Sequence, residues 1–287
     1  MRSRPTLRVF AAGCLDLLLA AALVAGEPGG ARPIQDNSFL IEEAYNQEEG
    51  VIQHIFNYQR VRGSGRWQAT FTQEWPVSGV THQVSYTLPA GAAASGTAVG
   101  AGDAALNYRY QVVGDGEARL AVAPRLSLLL PTGDEKRGLG AGALSLQVNL
   151  PASLALSDAF VAHGNAGATL TPRARNERGE RAGTNAANLG ASLVWIGGRR
   201  VNGLVEVVWS SSQVVTGPGT TRRERQMLVS PGLRCALDLP GGLQIVPGIA
   251  FPFGVGPSRG ERSVILYLSF EHPLWQPAPG PPPRRSD

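Results

Sequence analysis

What this sequence lacks says more than what it is rich in. Lysine is nearly absent: Lys136 stands alone beside arginine in a Lys plus Arg total of 26. Cysteine is scarce too, with only Cys14 and Cys235. If the first segment is removed on export, Cys235 alone is left, which excludes an intramolecular disulfide and requires some other means of holding the chain together. The four histidines, His54, His82, His163 and His272, lie far apart, with no cysteine beside them and no close acidic spacing, so no metal site is expected. Beyond residue 26 there is no long apolar run, which excludes helical membrane spans.

The one apolar run sits at the start. Arg2, Arg4 and Arg8 precede the stretch Leu15 to Val24, which ends in Ala25 and Gly26. A basic segment, a short apolar core and small residues at its end make a secretory signal peptide over 1–26. Its removal takes away three arginines and one aspartate and leaves +2 of the formal +4, so the pI near 9.4 reflects a modest arginine excess and gives no case for nucleic acid.

After Gly50 the sequence breaks into short alternating segments. Strands are predicted near 51–60, 66–76, 80–88, 104–113, 117–131, 141–155, 159–171, 188–197, 201–210, 227–237, 242–252 and 262–271, an even number. Connections alternate as well. Tight turns such as Val77-Ser-Gly79, Gly114-Asp-Gly116 and Gly198-Arg-Arg200 alternate with longer stretches at 89–103, 132–140, 172–187, 211–226 and 253–261, only 61–65 being short among the latter. Several segments have the roughly 9–11 residues a tilted strand needs to cross a bilayer. These features predict an all-β fold: a transmembrane antiparallel up-and-down β-barrel of about twelve strands, the form in which a spanning sheet leaves no edge unpaired.

The two faces agree. Leu106, Tyr108, Tyr110 and Val112 alternate with Asn107, Arg109 and Gln111; Leu144, Leu146, Val148 and Leu150 alternate with Ser145, Gln147 and Asn149. A soluble sandwich would also alternate, but its wet face would more often carry Lys and Glu than Thr, Gln, Asn and Ser. In a barrel the apolar face meets lipid, and Arg66, Glu74, Arg109, Arg125, Glu206 and Arg234 become candidate lumen-lining residues. Arginines there attract anions, whereas pairing with Glu74 or Glu206 would brace the barrel and fill it. Leu129, Val194, Leu204 and Ile265 also fall inward, which favours a narrow lumen. In Arg119-Leu-Ala-Val-Ala-Pro-Arg125-Leu-Ser-Leu-Leu-Leu-Pro131 the leucine face becomes the lipid face, both arginines turn inward, and Pro124 interrupts the ladder. Trp67, Trp75, Trp195, Trp209, Tyr267 and Phe270 supply candidate aromatic girdles.

Residues 27–50 form a periplasmic N-terminal segment in which Leu40 with Ala44 and Ile41 with Tyr45 stand at i,i+4 behind a possible cap at Asn37 or Ser38, predicting a short helical lead-in that packs before the first strand or plugs the barrel. The barrel is expected over 51–275, ending near Trp275, and the proline-rich 276–287 as a disordered tail, with both termini periplasmic in a Gram-negative outer membrane. The stretches Asp36-Asn-Ser-Phe-Leu-Ile-Glu-Glu-Ala-Tyr-Asn-Gln-Glu-Glu-Gly50, Leu106-Asn-Tyr-Arg-Tyr110, Pro124-Arg-Leu-Ser-Leu-Leu-Leu-Pro-Thr-Gly133, Ala162-His-Gly-Asn-Ala-Gly167 and Phe270-Glu-His-Pro273 resemble outer-membrane transporters grouped with the phenol-degradation meta-pathway (MetA-type) proteins. That resemblance implies a small barrel taking up hydrophobic or aromatic compounds, with no binding residues to carry over. The partners expected are outer-membrane lipids, lipopolysaccharide at the arginines of 172–187 and 211–226, the outer-membrane assembly machinery and an unspecified small solute.

Two chemical alternatives fail on residue type. His163-Gly-Asn165 is similar to the His-x-Ser element of lipid A deacylases, but asparagine cannot attack an ester, and no neighbouring Ser and His pair marks a phospholipase. Gly114-Asp-Gly116 is a turn signal and Gly138-Leu-Gly-Ala-Gly142 precedes a strand instead of a helix, so neither cradles a nucleotide and no cofactor is expected.

Overall fold

The computed structural model describes residues 36–92, 98–115, 118–198 and 200–274. The signal peptide, residues 27–35, Trp275 and the 276–287 tail lie outside the described residues.

Twelve antiparallel strands close into a barrel. They are β1 (Val51–Val61), β2 (Trp67–Pro76), β3 (His82–Ala92), β4 (Ala105–Tyr110), β5 (in two pieces, Leu120–Val122 and Arg125–Leu129), β6 (Ser145–Ser157), β7 (Phe160–Arg175), β8 (Arg181–Ile196), β9 (Val201–Gly217), β10 (Thr220–Cys235), β11 (Leu243–Ala250) and β12 (Ser263–Pro273). Each pairs with its neighbours in sequence. Closure is made by β12 on β1, where Val51 faces Pro273 and Val61 faces Ser263. Short paired pieces extend this wall at Val99–Ala101, Leu237–Leu239 and Phe253–Gly254. Among the described residues no helix is long and apolar enough to cross a membrane.

Side-chain alternation decides the faces. The exposed apolar residues, among them Phe56, Leu88, Leu126, Leu146, Val148 and Leu266, point outward, while their neighbours Gln53, Gln83, Ser127, Asn149, Ser153 and Ser269 are buried inside. This is the inverse of a soluble protein and the arrangement lipid selects. Trp67, Trp75, Trp195, Trp209 and Phe270 share the outward parity; Tyr267 does not, being 4% exposed inside the barrel. In the β2–β3 turn over 77–81, Ser78 and Gly79 both adopt positive φ, 62° and 72°, and the Val77 amide bonds the His82 carbonyl at 2.7 Å to close the reversal.

Three expectations are corrected. The stretches 172–187 and 211–226 are largely strand: Arg175 pairs with Arg181 and Gly217 with Thr220, so β7 to β10 run 16 or 17 residues each. Polar, arginine-rich sequence with Gly, Asn and Pro looks like loop when lipid is expected, but a ladder closed by backbone bonds between neighbouring strands forms equally well in water. About six residues beyond the spanning length, at ~3.3 Å each and tilted by ~40°, lift this wall about 15 Å above the membrane. Arg119 is exposed at the start of β5 and donates from Nε to the Ala155 carbonyl at 3.0 Å, so it does not enter the lumen. The predicted helix is absent: residues 36–50 have irregular backbone.

Pro124 sits where the ladder was expected to break. Its missing N–H separates the two pieces of β5, yet Leu120 facing Leu154 and Arg125 facing Asn149 keep one register with β6 across the gap. On the other side its carbonyl still accepts from the Tyr110 amide at 3.0 Å.

Candidate functional site

Residues 36–47 lie inside the barrel as a strap that follows the inner wall, almost all of it buried. It begins against β1 and β12, where the Asp36 carboxylate accepts from Gln53 Nε2 at 2.9 Å, from Tyr267 Oη at 2.5 Å and from Ser269 Oγ. On β10, Arg234 donates to the carbonyls of Asp36 (2.5 Å) and Asn37 (2.6 Å). Then Glu206 on β9 receives the Leu40 and Ile41 amides at 2.6 and 3.1 Å. Ser38 reaches Ser192 on β8, Asn165 on β7 exchanges bonds with the Glu42 amide and carbonyl, and Ser153 on β6 takes the Ala44 amide. The circuit ends with Gln111, just after β4, and Gln83 on β3 accepting from the Asn46 and Gln47 amides.

Those bonds explain why the helix is missing. A helix would use the amides of 40 to 47 internally; here wall side chains take the amides of Leu40, Ile41, Glu42, Ala44, Asn46 and Gln47 one after another. With the Glu43 amide taken by Asn37 Oδ1 at 3.0 Å, most amides of the strap find a side-chain acceptor, which offsets the loss of helical bonds.

Apolar anchors fix the strap in register. Phe39 is 4% exposed and meets Tyr267 edge-on with ring centroids 5.4 Å apart. Its ring lies across Gly232 on β10 and Gly248 on β11. A Cβ on Gly248 would meet ring atoms Cε1 and Cζ at 2.5 and 2.7 Å, and one on Gly232 would meet Cδ2 at 2.9 Å. Ile41 fills a similar hollow over Gly190 on β8. Glycine is used here for closeness, since both strands otherwise favour larger residues. With Ile55, Val194, Leu204, Ala250 and Ile265, Phe39 forms the barrel's apolar core.

The sequence-predicted lumen residues divide as follows. Glu74, Arg109, Glu206 and Arg234 are buried inside, between 0% and 8% exposed. Arg109 clamps the strap, donating to Asn46 Oδ1 (2.7 Å) and to the carbonyls of Tyr45 (2.5 Å) and Glu43 (3.2 Å). Arg125 pairs with Glu42 at 2.6 Å and also reaches Asn107, Ser127 and Gln147. Glu74 is held by Gln83 Nε2 at 2.7 Å. Arg66 is displaced from expectation: it lies exposed in the β1–β2 turn, because β2 begins only at Trp67 and the alternation does not reach back to it. Of the inward apolar set, Val194, Leu204 and Ile265 are buried in the core and Leu129 is half-buried.

On one side the strap leaves space. A cavity of about 170 Å³ has residues 37–42 as its floor and Asn57, Thr70, Thr72, Glu74, Thr87 and Asn107 among its walls, with the Glu42–Arg125 pair at its edge. Burial raises the Glu43 carboxyl from 4.5 to about 8, with the Asp36 charge as the next cause; Asp36 itself is raised by burial against the lowering effect of Arg234.

Sequence reading missed one pairing. Ser153 Oγ and His163 Nδ1 are 2.7 Å apart, brought together by the β6–β7 register, which places these residues opposite each other. The pair has the makings of a nucleophile and base, but Ser153 also receives the Ala44 amide at 2.8 Å and both residues lie under the strap. The arrangement anchors a backbone amide and offers an ester no approach. Among the described residues no group of His, Cys, Asp and Glu could hold a metal ion.

The shape of the molecule belongs to a known class. It is similar to an outer membrane channel from Pseudomonas putida F1, with TM-score 0.56 and 13% identity over 86% of this chain and 99% of that one. It is also similar to the KdgM porin (TM-score 0.47, 5% identity, 76% and 98% covered) and to the translocator domain of the autotransporter NalP from Neisseria meningitidis (0.45, 10%, 92% and 95%). At 13% identity the likeness to the Pseudomonas putida channel shows the fold alone, that of an outer-membrane-type β-barrel. No protein-family model and no curated protein matches the chain, so the family resemblance read from the motifs is not confirmed.

Proposed function

We propose that this chain is an outer-membrane channel for small solutes, narrowed by its own N-terminal strap, with both termini periplasmic. The observation that carries the reading is the polar cavity above the strap: a barrel wholly filled for stability would pack this volume with side chains. Its walls of Thr, Asn and Ser beside Ile55, Leu40 and Tyr267 suit small molecules that combine a polar group with an apolar face, among them the aromatic compounds implied by the motif resemblance. The shared fold with the Pseudomonas putida channel adds support.

A second reading has its own observation. The strap bonds to so many strands that the barrel is equally well built as a closed structural or binding protein. The readings separate in planar bilayers and in liposome swelling with small hydroxylated aromatics. The channel predicts discrete current steps and solute entry above protein-free controls; no current and no swelling would favour the closed barrel.

A further inference from the structure

The outer wall differs between its two ends. On β1 the outward parity of Phe56 and Tyr58 continues into Arg60 and Arg62; on β12 that of Leu266 and Val264 continues into Arg262. The Arg62 amide bonds the Arg262 carbonyl at 2.7 Å, and Arg262 bridges to Phe253, so these residues form one continuous edge. On β10, Arg225 stands outward above Met227, whose carbonyl accepts from Val255. Arg60, Arg62, Arg225 and Arg262 are exposed, and their side chains make no hydrogen bond or ion pair among the described residues. The acidic groups nearby are engaged elsewhere: Glu261 accepts from Gln226 and Glu224 pairs with Arg222. Directly below lies bare apolar wall, with Phe56, Phe251, Phe253 and Leu266 between 42% and 50% exposed. At the opposite end, outward positions carry Trp195, Phe160, Tyr110 and the stacked His54, Phe270 and His272, and the exposed arginine there, Arg119, is bonded to the Ala155 carbonyl; at the arginine end Tyr58 and Trp67 stand beside Arg60.

We propose that this arginine edge docks the phosphates of a phosphorylated glycolipid of the lipid A type, whose acyl chains lie along Phe253, Leu266 and Phe56. An unpaired guanidinium held at the top of a lipid-facing wall needs a counterion at headgroup height, and its planar fork fits phosphate oxygens in a two-point contact. Such lipid occupies only one leaflet of an outer membrane, so the docking also assigns orientation: the tall β7–β10 wall faces outside and the strap enters from the periplasm. The inference rests on the outer-membrane reading and not on conduction, so a silent bilayer would leave it standing.

Native mass spectrometry of the full-length protein in detergent tests it, with diphosphorylated hexa-acyl lipid A, the same lipid stripped of phosphate, and phosphatidylglycerol as probes. Wild type should retain diphosphorylated lipid A about ten-fold more than either other lipid, a difference the combined R60Q/R62Q/R262Q variant abolishes and R119Q leaves intact. Equal retention of the dephosphorylated lipid or of phosphatidylglycerol, or undiminished retention by the triple variant, would overturn the proposal. If the triple variant fails to fold, the three-lipid comparison on wild type still decides.

Discussion

Replacing Gly232 with valine separates the strap from the barrel that holds it. The new Cβ would meet Phe39 Cδ2 at 2.9 Å and the Ala250 Cβ at 3.0 Å, before its two methyl groups are placed. Within the sheet the change is mild, because a β-branched residue suits a strand better than glycine. Against the strap it is severe, because the Phe39 ring also lies on Gly248 and against Tyr267, so the ring must leave this seat toward the cavity it lines. Overpacking of this kind costs about 1–3 kcal/mol. Should the ring leave its seat altogether, the loss approaches the ~3–5 kcal/mol of a buried Phe→Ala change. The strap's attachment should weaken by one to three orders of magnitude while the barrel stays folded. Limited proteolysis reads the first effect, as faster cleavage between residues 36 and 47. Heat-modifiable migration on gels reads the second, and should be unchanged. Wild-type resistance of the strap in Gly232→Val, with the barrel intact, would refute the claim that Phe39 anchors it.

Other consequences can be checked separately. Glu43 is raised in the folded protein, so its contribution favours the bound strap fully below about 4.5 and is lost as pH rises through about 8; proteolysis of the strap should therefore quicken between these values, and Glu43→Gln should flatten the profile. The Glu42–Arg125 pair is partly exposed, at 30% and 17%, so Glu42→Gln should lower stability by only ~0.5–1 kcal/mol in denaturant titrations. Arg109→Met removes three strap contacts from a buried site and should cost about 3–5 kcal/mol, seen as loss of strap protection before loss of the barrel. Cysteine placed at Glu177 should be labelled on intact cells and cysteine at Ser78 should not; the reverse pattern would invert the proposed topology.

Much of the barrel was legible because lipid imposes a simple rule. A period of two with apolar residues outside survives even when the strands are short, and Leu106-Asn-Tyr-Arg-Tyr110 or Leu144 to Leu150 could hardly be read otherwise. Where that rule lapses, reading fails. Above the membrane β7 to β10 face water on both sides, so their polar sequence mimics loop. Before Trp67 and before Leu120 the strands have not yet begun, and Arg66 and Arg119 do not obey the alternation extrapolated to them. The strap was legible as a short amphipathic segment but not as what it is. Its i,i+4 apolar pairs favour helix locally, and only the presence of Glu206, Asn165, Ser153, Gln111 and Gln83, brought from distant parts of the wall, makes an extended path better. A weak signal did exist: Gly190, Gly232 and Gly248 interrupt strands at positions where the wall is otherwise filled, which marks a close approach from within. The Ser153–His163 pair required the β6–β7 register and could not be found from spacing.

The central claim, a channel narrowed by its own strap, is tested most directly by single-channel recording of wild type beside a variant lacking residues 36–47. The account predicts small current steps for wild type and steps several-fold larger for the variant, with the barrel folded in both. Equal conductance in the two, or silence from a folded strapless barrel, would contradict it.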